Sequence, residues 1–428
     1  MGCRVRSAGG FDLEPLCMES FFKLKTTAEV VALINAFDPL DEESLPVDKA
    51  FGRVLRRDFL APEDLPAFFK SAMDGFAVRA RDTFGASEGL PALLNLAGEV
   101  RMGAAPKVKV GEQEAVRIAT GGMLPDGADG VVMVEYAELL DETTLEVSRP
   151  IAPLENVIQP GDDFRKGVLV IPKGVRLRMQ EIGALAGFGC AEVSVHRRPV
   201  VGIISTGDEI VPSDALPSPG QVRDINRYTL EAFCLRHGAE PQHFGICPDR
   251  FEALEGKMTE ALGLCDTVWV SGGSSVGMRD LTLSVLEALP GFELLVHGVS
   301  ISPGKPTILG RCGGKPFVGL PGHVASALVV AEVFLRPLLG RLSGVAAEAE
   351  ERPKEVSARL ARNIESVTGR EDYVRVRLFD DAGTLAAEPV FGKSGLISTL
   401  IRADGLVKIG LHTEGLYQGE TVRVTLLE

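Results

Sequence analysis

The sequence predicts an α/β multidomain protein organised around a central doubly wound α/β domain, and three patterns carry that prediction. From Arg198, apolar runs alternate with helical spacing over about 145 residues, as a parallel sheet with helices on its faces requires. From about Phe76 to Val147 the chain reads as short strands broken by Gly and Pro, which predicts a small inserted β domain. Near the C-terminus, YVRVRLF and TVRVTLL alternate with period two, the mark of a small antiparallel sheet or barrel. At 428 residues the chain has room for roughly two to four domains.

The elements follow in order. Residues 27–36 (TAEVVALINA) have helical spacing, with Thr27 as N-cap and Glu29 in the first turn. Extended pieces lie around Leu45–Val47 and Val54–Phe59, and the Pro-rich APEDLPAFFKSAMDG then marks a domain crossing. Inside the β domain the expected strands are FAV, VRI, GVVMVEYAEL and TLEV. Residues 150–196 hold a Gly/Asp loop, the strand GVLVI, a helix near Met179–Gly187 and the extended AEVSVH. The α/β domain opens with PVVGII, a continuous apolar run suited to a strand buried on both faces. A helix near Tyr228–His237, a strand near Gln242–Ile246 and a helix near Phe251–Leu262 come next. The strand TVWVS, the helix Leu281–Leu289, the strand PFVGL and the helix Val324–Leu339 complete it. After Gly344 the polar AAEAEERPKE reads as a linker.

Lys plus Arg number 45 against 59 Asp plus Glu, a formal net charge of −14. That balance argues against a general nucleic-acid binder, which presents a basic face, but leaves room for a local basic pocket. Apolar residues at 45% and charged residues at 24% are ordinary for a globular chain, so disorder and a disulfide scaffold are poor descriptions. No apolar run approaches the roughly 18 residues of a membrane-spanning helix. The N-terminus lacks the apolar core of a secretory signal, and the seven cysteines include no CxxC pair. The expectation is a cytoplasmic protein with reduced thiols and neither nucleic acid nor membrane among its partners. Glycine is what stands out: 48 residues, about 11% against a usual figure near 7%.

Three glycine-bearing segments share one design of apolar strand, small-residue loop and helix: GIISTGDE (202–209), VWVSGGSSVGMRD (268–280) and VGLPGHVAS (318–326). Loops after parallel strands lie on one sheet edge, where ligands bind at the topological switch point. Glycines there let a ligand approach the backbone, and free amides favour an anion. Ser205, Thr206, Gly207, Ser271, Gly272, Gly273 and Ser274 are therefore the expected cradle for a phosphate or pyrophosphate. No GxxxxGK[ST] and no helix-opening GxGxxG occurs, which weakens the P-loop and dinucleotide-binding readings. Glu209 and Asp280 each follow a cradle loop, and carboxylates beside a pyrophosphate suit Mg²⁺. Asp249, after the strand near 242–246, faces the same edge.

SAMDGFAV, RIATGGMLPDGADGVVMVE, GDDFRKG, STGDEI, GQVRDINR, SGGSSVGMRD, SPGKP and GLPG occur in this order across nearly the whole chain. Together they resemble the molybdopterin molybdenumtransferases, the bacterial MoeA proteins and the gephyrin E-domain. The resemblance implies an enzyme that takes adenylylated molybdopterin, cleaves its pyrophosphate bond with Mg²⁺, releases AMP and inserts molybdate into the dithiolene. It implies an elongated homodimer of four-domain subunits, with the site between the α/β domain of one subunit and parts of the other. Those domains would be a linking, dimerising domain (1–61 with 160–196) and an inserted β-rich domain (62–159). An α/β molybdopterin-binding domain (197–344) and a C-terminal barrel-like β domain (345–428) would follow. Transient partners would be the adenylylating enzyme and molybdoenzyme apoproteins.

Carried over by motif, the functional Asp of MDG is Asp74, the Thr of TG is Thr120 and the GED acid is Asp163, with Asp162 in place of Glu. Glu209 and Asp280 are the acids that hold Mg²⁺ in such relatives, and Asp249 matches a further site acid. Lys305 and Pro321 fall in PGKP and GLPG, near the expected molybdate.

The sequence also departs from the pattern. Residues 156–160 (NVIQP) lack the usual basic residues, Gly298 and Ser302 stand where Lys or Arg is usual, and His323 and Val324 replace Asn and Pro. At least three expected cations are thus missing, each worth about 1.5–3 kcal/mol in a charge-assisted contact. Arg165, Lys166, Arg223 and Arg279 are nearby in sequence, and His297 and His323 are further donors. The alternative is a diverged, non-catalytic or tungstate-handling paralogue that binds molybdopterin or its nucleotide form.

Overall fold

The computed structural model describes residues 24–272, 276–346 and 353–427, and of residues 276–280 only their place in a helix. The linker expected after Gly344 falls largely on residues 347–352, outside the described ones.

A six-stranded sheet forms the α/β domain in the order Glu240–Cys247, Val200–Thr206, Thr267–Gly272, Lys315–Leu320, Ile308–Cys312, Phe292–His297. The first four strands run parallel, as predicted, and Ile308–Cys312 lies antiparallel to both neighbours. Side chains alternate between two cores, as period two demands. Val201, Ile203, Trp269, Val318 and Leu320 pack on one face, whereas Ile204, Val268, Val270 and Phe317 pack on the other. Helices Asn226–Arg236 and Val324–Val330 cover the first face, and Phe251–Leu264 and Val276–Ala288 cover the second.

The helix expected over Val324–Leu339 is corrected: it breaks at a π segment, Ala331–Leu335, and resumes as Arg336–Leu342. Pro337 explains the break, because it offers no N–H for the i→i−4 ladder.

The β module is a second six-stranded sheet, ordered Gly130–Met133, Gly75–Val78, Glu114–Ile118, Ala92–Glu99, Thr144–Val147, Ala137–Leu139. The strand Ala92–Glu99 escapes the sequence reading because Asn95 and Gly98 blur its alternation. The single run GVVMVEYAEL is in fact two strands separated by a 3₁₀ turn, Val134–Tyr136. Short ladders tie the flanking stretches together, Glu42–Pro46 with Glu192–His196, Phe59–Leu60 with Leu169–Ile171, and Lys70–Ser71 with Val157–Ile158.

The N-terminal helix spans Thr27–Asn35, and its cap is Thr26 rather than Thr27. Thr26 and Glu29 form a reciprocal capping box, which satisfies two orphan amides. Thr27 is freed to donate to the Glu371 carboxylate at 2.7 Å. That bond joins the helix to the C-terminal domain, where Glu371–Asp381, Thr384–Pro389, Glu355–Leu360, Thr421–Leu426 and Gly405–Ile409 close into a five-stranded barrel. Among the described residues, no helix is long and apolar enough to cross a membrane.

Candidate active site

The strand order places the topological switch between Val200–Thr206 and Thr267–Gly272, whose last residues, Thr206 and Gly272, are register partners. Here the glycine is obligatory. Gly272 sits at φ +150°, and a Cβ on it would lie 2.0 Å from the Thr206 carbonyl oxygen. The two loops therefore leave the sheet in close contact and open a crevice of about 320 Å³ beyond their ends. Ser205, Thr206, Ser271 and Gly272 of the expected cradle line it, joined by Glu209, Arg223, Asp224, Asn226 and His323. Gly207, at φ +149°, carries the turn into Glu209.

The lining is unsatisfied in a telling way. Ser205 Oγ, Asp224 Oδ2 and Asn226 Oδ1 are buried and have no hydrogen-bond partner among the described residues. The three residues are 2%, 6% and 8% exposed. A buried polar atom without a partner costs about 1–3 kcal/mol, so three around one crevice mark a place that a polar ligand completes. Asn226 is oriented by its amide, which donates to the Gly322 carbonyl at 2.9 Å and ties GQVRDINR to GLPG. His323 bonds Ser394 Oγ at 2.8 Å through Nδ1, so the departure from the family pattern links this edge to the barrel domain.

Asp249 stands behind the cradle rather than in it. It accepts from Thr206 Oγ1 at 2.8 Å and from the Asp208 amide at 3.3 Å, and so fixes the loop that carries Glu209. Pro321 is buried beside Gly272 and Pro306, which draws the ends of SGG, SPGKP and GLPG together. Lys305 is exposed in the SPGKP turn, and its carbonyl accepts from the Val299 amide at 2.9 Å. Gly273, Ser274 and the side chains of Arg279 and Asp280 lie outside the described residues.

Asp74 and Thr120 meet each other in the β domain. Thr120 gives Asp74 Oδ1 its amide at 2.7 Å and its hydroxyl at 2.9 Å. The Thr120 amide, then its hydroxyl, holds the Asp74 carboxyl below the usual carboxylate range, so Asp74 is an anion. Asp163 is not brought to this pair: its amide donates to the Leu65 carbonyl, at the other end of the Lys70–Ser71 and Val157–Ile158 ladder. Among the described residues, no group of three or more His, Cys, Asp or Glu converges as a metal cluster.

Sequence reasoning overlooked Arg375. Ser302, where a cation is usual, lies in the short strand Ile301–Ser302, which runs parallel to Glu371–Asp372. That pairing brings Arg375 to a cleft of about 350 Å³ shared with Ser302 and Ser394. The guanidinium is buried and donates one bond, to the Gly392 carbonyl at 3.1 Å, while Nε and Nη1 have no partner among the described residues. Burial pushes its pKa down from the ordinary arginine value. A buried cation without a carboxylate is costly unless an anion joins it. The period-two pattern YVRVRLF held this residue, but only the long-range pairing shows where it lies.

Comparison with known proteins agrees with this layout. Family models match three successive parts of the chain: "MoeA N-terminal region (domain I and II)" over residues 24–189, "Probable molybdopterin binding domain" over 202–341, and "MoeA C-terminal region (domain IV)" over 357–427. The molybdopterin molybdenumtransferase of Haemophilus influenzae is 32% identical, across 90% of this chain and 94% of the relative. That of a Nostoc species is 33% identical, across 90% and 89%. A crystal structure of the molybdopterin biosynthesis MoeA protein of Pyrococcus horikoshii OT3 superposes with a TM-score of 0.82 at 30% identity, covering 95% of this chain and 100% of that one. The chain belongs to the MoeA family of molybdopterin molybdenumtransferases, which serves molybdenum cofactor biosynthesis.

Proposed function

We propose that this protein is an active molybdopterin molybdenumtransferase of the cytoplasm. It takes adenylylated molybdopterin and molybdate, breaks the pyrophosphate bond, releases AMP and leaves molybdenum on the dithiolene. The observation that carries the proposal is the trio of buried, unpartnered atoms on Ser205, Asp224 and Asn226 around the strand-end crevice. A hydroxyl donor beside two acceptors matches a ligand that presents both phosphate oxygens and ring N–H groups.

On this reading the pyrophosphate rests on the loops of Gly207 and Gly272, with Arg223 as the local cation of an otherwise acidic protein. The donor set also fits Mg²⁺. Glu209 and the orphaned Asp224 Oδ2 are hard oxygen donors in one crevice, and Mg²⁺ is held by one or two carboxylates plus substrate phosphates. Asp280 would join them. When bound, the ion neutralises pyrophosphate charge. The chain's own work is to hold the phosphates in line, to keep the Glu209 loop fixed through Asp249 and Thr206, and to present Arg375 to the oxyanion.

Asp74 and Thr120 act across a homodimer, completing the partner subunit's site. Phe68, Phe69 and Met73, each more than 40% exposed beside Asp74, support a covered surface there. Incubation with adenylylated molybdopterin, Mg²⁺ and molybdate should release AMP. No release from folded protein that still binds the nucleotide would overturn the proposal.

A further inference from the structure

The strand-end crevice and the Arg375 cleft meet at one hydrogen bond. His323 lines the crevice and Ser394 lines the cleft, and His323 Nδ1 stands 2.8 Å from Ser394 Oγ. The backbone repeats the link, since the Ser394 carbonyl accepts from the Ala325 amide at 3.1 Å, in the first turn of the helix Val324–Val330. Gly395 lies on the crevice side, where a Cβ would stand 3.6 Å from His323 Cδ2. Two residues before Ser394, the Gly392 carbonyl accepts from Arg375 Nη2 at 3.1 Å. Residues 392–395 are thus held at one end by Arg375 of the barrel domain and at the other by His323 of the α/β domain.

His323 occupies the N-cap position of its helix, yet its side chain makes no capping bond. An N-cap side chain ordinarily satisfies an orphan amide of the first turn. Here the ring is directed to another domain instead, and the proton count of the bond it makes there has a consequence. A serine hydroxyl carries one proton, whereas a neutral imidazole carries a proton on only one of its nitrogens. If Ser394 donates to Nδ1, its proton is spent and only lone pairs face the cleft. If Nδ1 donates to Ser394 Oγ, the hydroxyl proton is left for a ligand. An anion beside the buried Arg375, whose Nε and Nη1 have no partner among the described residues, favours the second arrangement, because it accepts and cannot donate.

We propose that His323 is a positioning residue for the oxyanion: it donates from Nδ1 to Ser394 and so turns the Ser394 hydroxyl proton towards an oxyanion held at Arg375. This rests on the reading above that Arg375 meets the oxyanion. It adds that a residue of the crevice wall sets the hydrogen bonding of the cleft.

The test uses the full chain with its six histidines labelled with ¹⁵N, His323 being assigned with a His323→Asn variant. At about pH 8, above the ordinary histidine pKa of roughly 6.5, the ring is neutral and its two nitrogens report the tautomer. With molybdate bound, His323 Nδ1 should carry the proton; a bare Nδ1 in the bound protein would overturn the proposal. Calorimetry with molybdate alone supplies the second readout. His323→Ala and Ser394→Ala should each weaken binding by about tenfold or more, and the double variant should be no weaker than either single one. His323→Asn, whose amide nitrogen is as many bonds from Cβ as Nδ1, should restore affinity to within about threefold of wild type. Equal molybdate affinity in His323→Ala and wild type, additive losses in the double variant, or no molybdate binding by wild type would each overturn the proposal. Wild type that binds molybdate through this pair yet releases no AMP from adenylylated molybdopterin would uphold the positioning role and refute the function proposed above.

Discussion

Thr120 donates its amide and its hydroxyl to a single oxygen, Asp74 Oδ1, 46 residues earlier in the chain. Two donors on one oxygen keep the carboxylate charged and engage only Oδ1. Thr120→Val removes the hydroxyl bond while the amide bond stays, so the Asp74 pKa should rise part of the way back towards the usual aspartate range. Carboxyl-detected NMR titration measures this. AMP release should fall by at least about tenfold through misplaced charge, with an unchanged melting temperature.

Gly272→Ala tests the close approach at the switch point. The new Cβ would collide with the Thr206 carbonyl at 2.0 Å, in a backbone conformation that side chains avoid. Destabilisation of about 2 kcal/mol or more is expected by denaturant unfolding, together with loss of nucleotide binding. Gly189→Ala, where nothing lies within 4 Å, controls for positive φ alone.

Glu371 couples the N-terminal helix to the barrel. Burial alone would raise its pKa, but hydrogen bonds from Lys408, Thr27 and Tyr373 outweigh that and hold it below the ordinary glutamate value. A depressed acid stabilises the fold above its unfolded pKa and loses that contribution as pH falls through the folded one. Glu371→Ala should cost about 1–3 kcal/mol near neutrality and progressively less below about pH 4.5, as read by melting at several pH values.

His237 gives a second acid sensitivity. Its folded pKa of about 4 lies under the ordinary 6.5, so between those values the unfolded chain takes up a proton that the fold refuses. Stability should decline as pH drops from 6.5 towards 4, and His237→Gln should flatten that decline in a melting-temperature series.

The parallel strands and the glycine-bearing loops that follow them were legible because they are local: an apolar run followed by small residues reads the same in sequence and in space. Gly272 belongs to that class. Arg375 does not, since its place beside Ser302 depends on the pairing of Ile301–Ser302 with a strand some 70 residues later. Asp224 and Asn226 were visible in GQVRDINR, yet only burial shows that their oxygens lack partners. The helix break at Pro337 was missed for another reason: the apolar spacing on either side continues unbroken, and the packing of Leu338, Leu339 and Leu342 keeps the segment helical beyond it.

The most direct measurement is AMP release in a single turnover, comparing wild type with Glu209→Gln. Glu209 is exposed in the crevice, so the substitution should leave the melting temperature unchanged. The account predicts molybdate-dependent AMP release by wild type and a loss of at least about a hundredfold in the variant, with adenylylated molybdopterin still bound. Equal rates in the two proteins would contradict it.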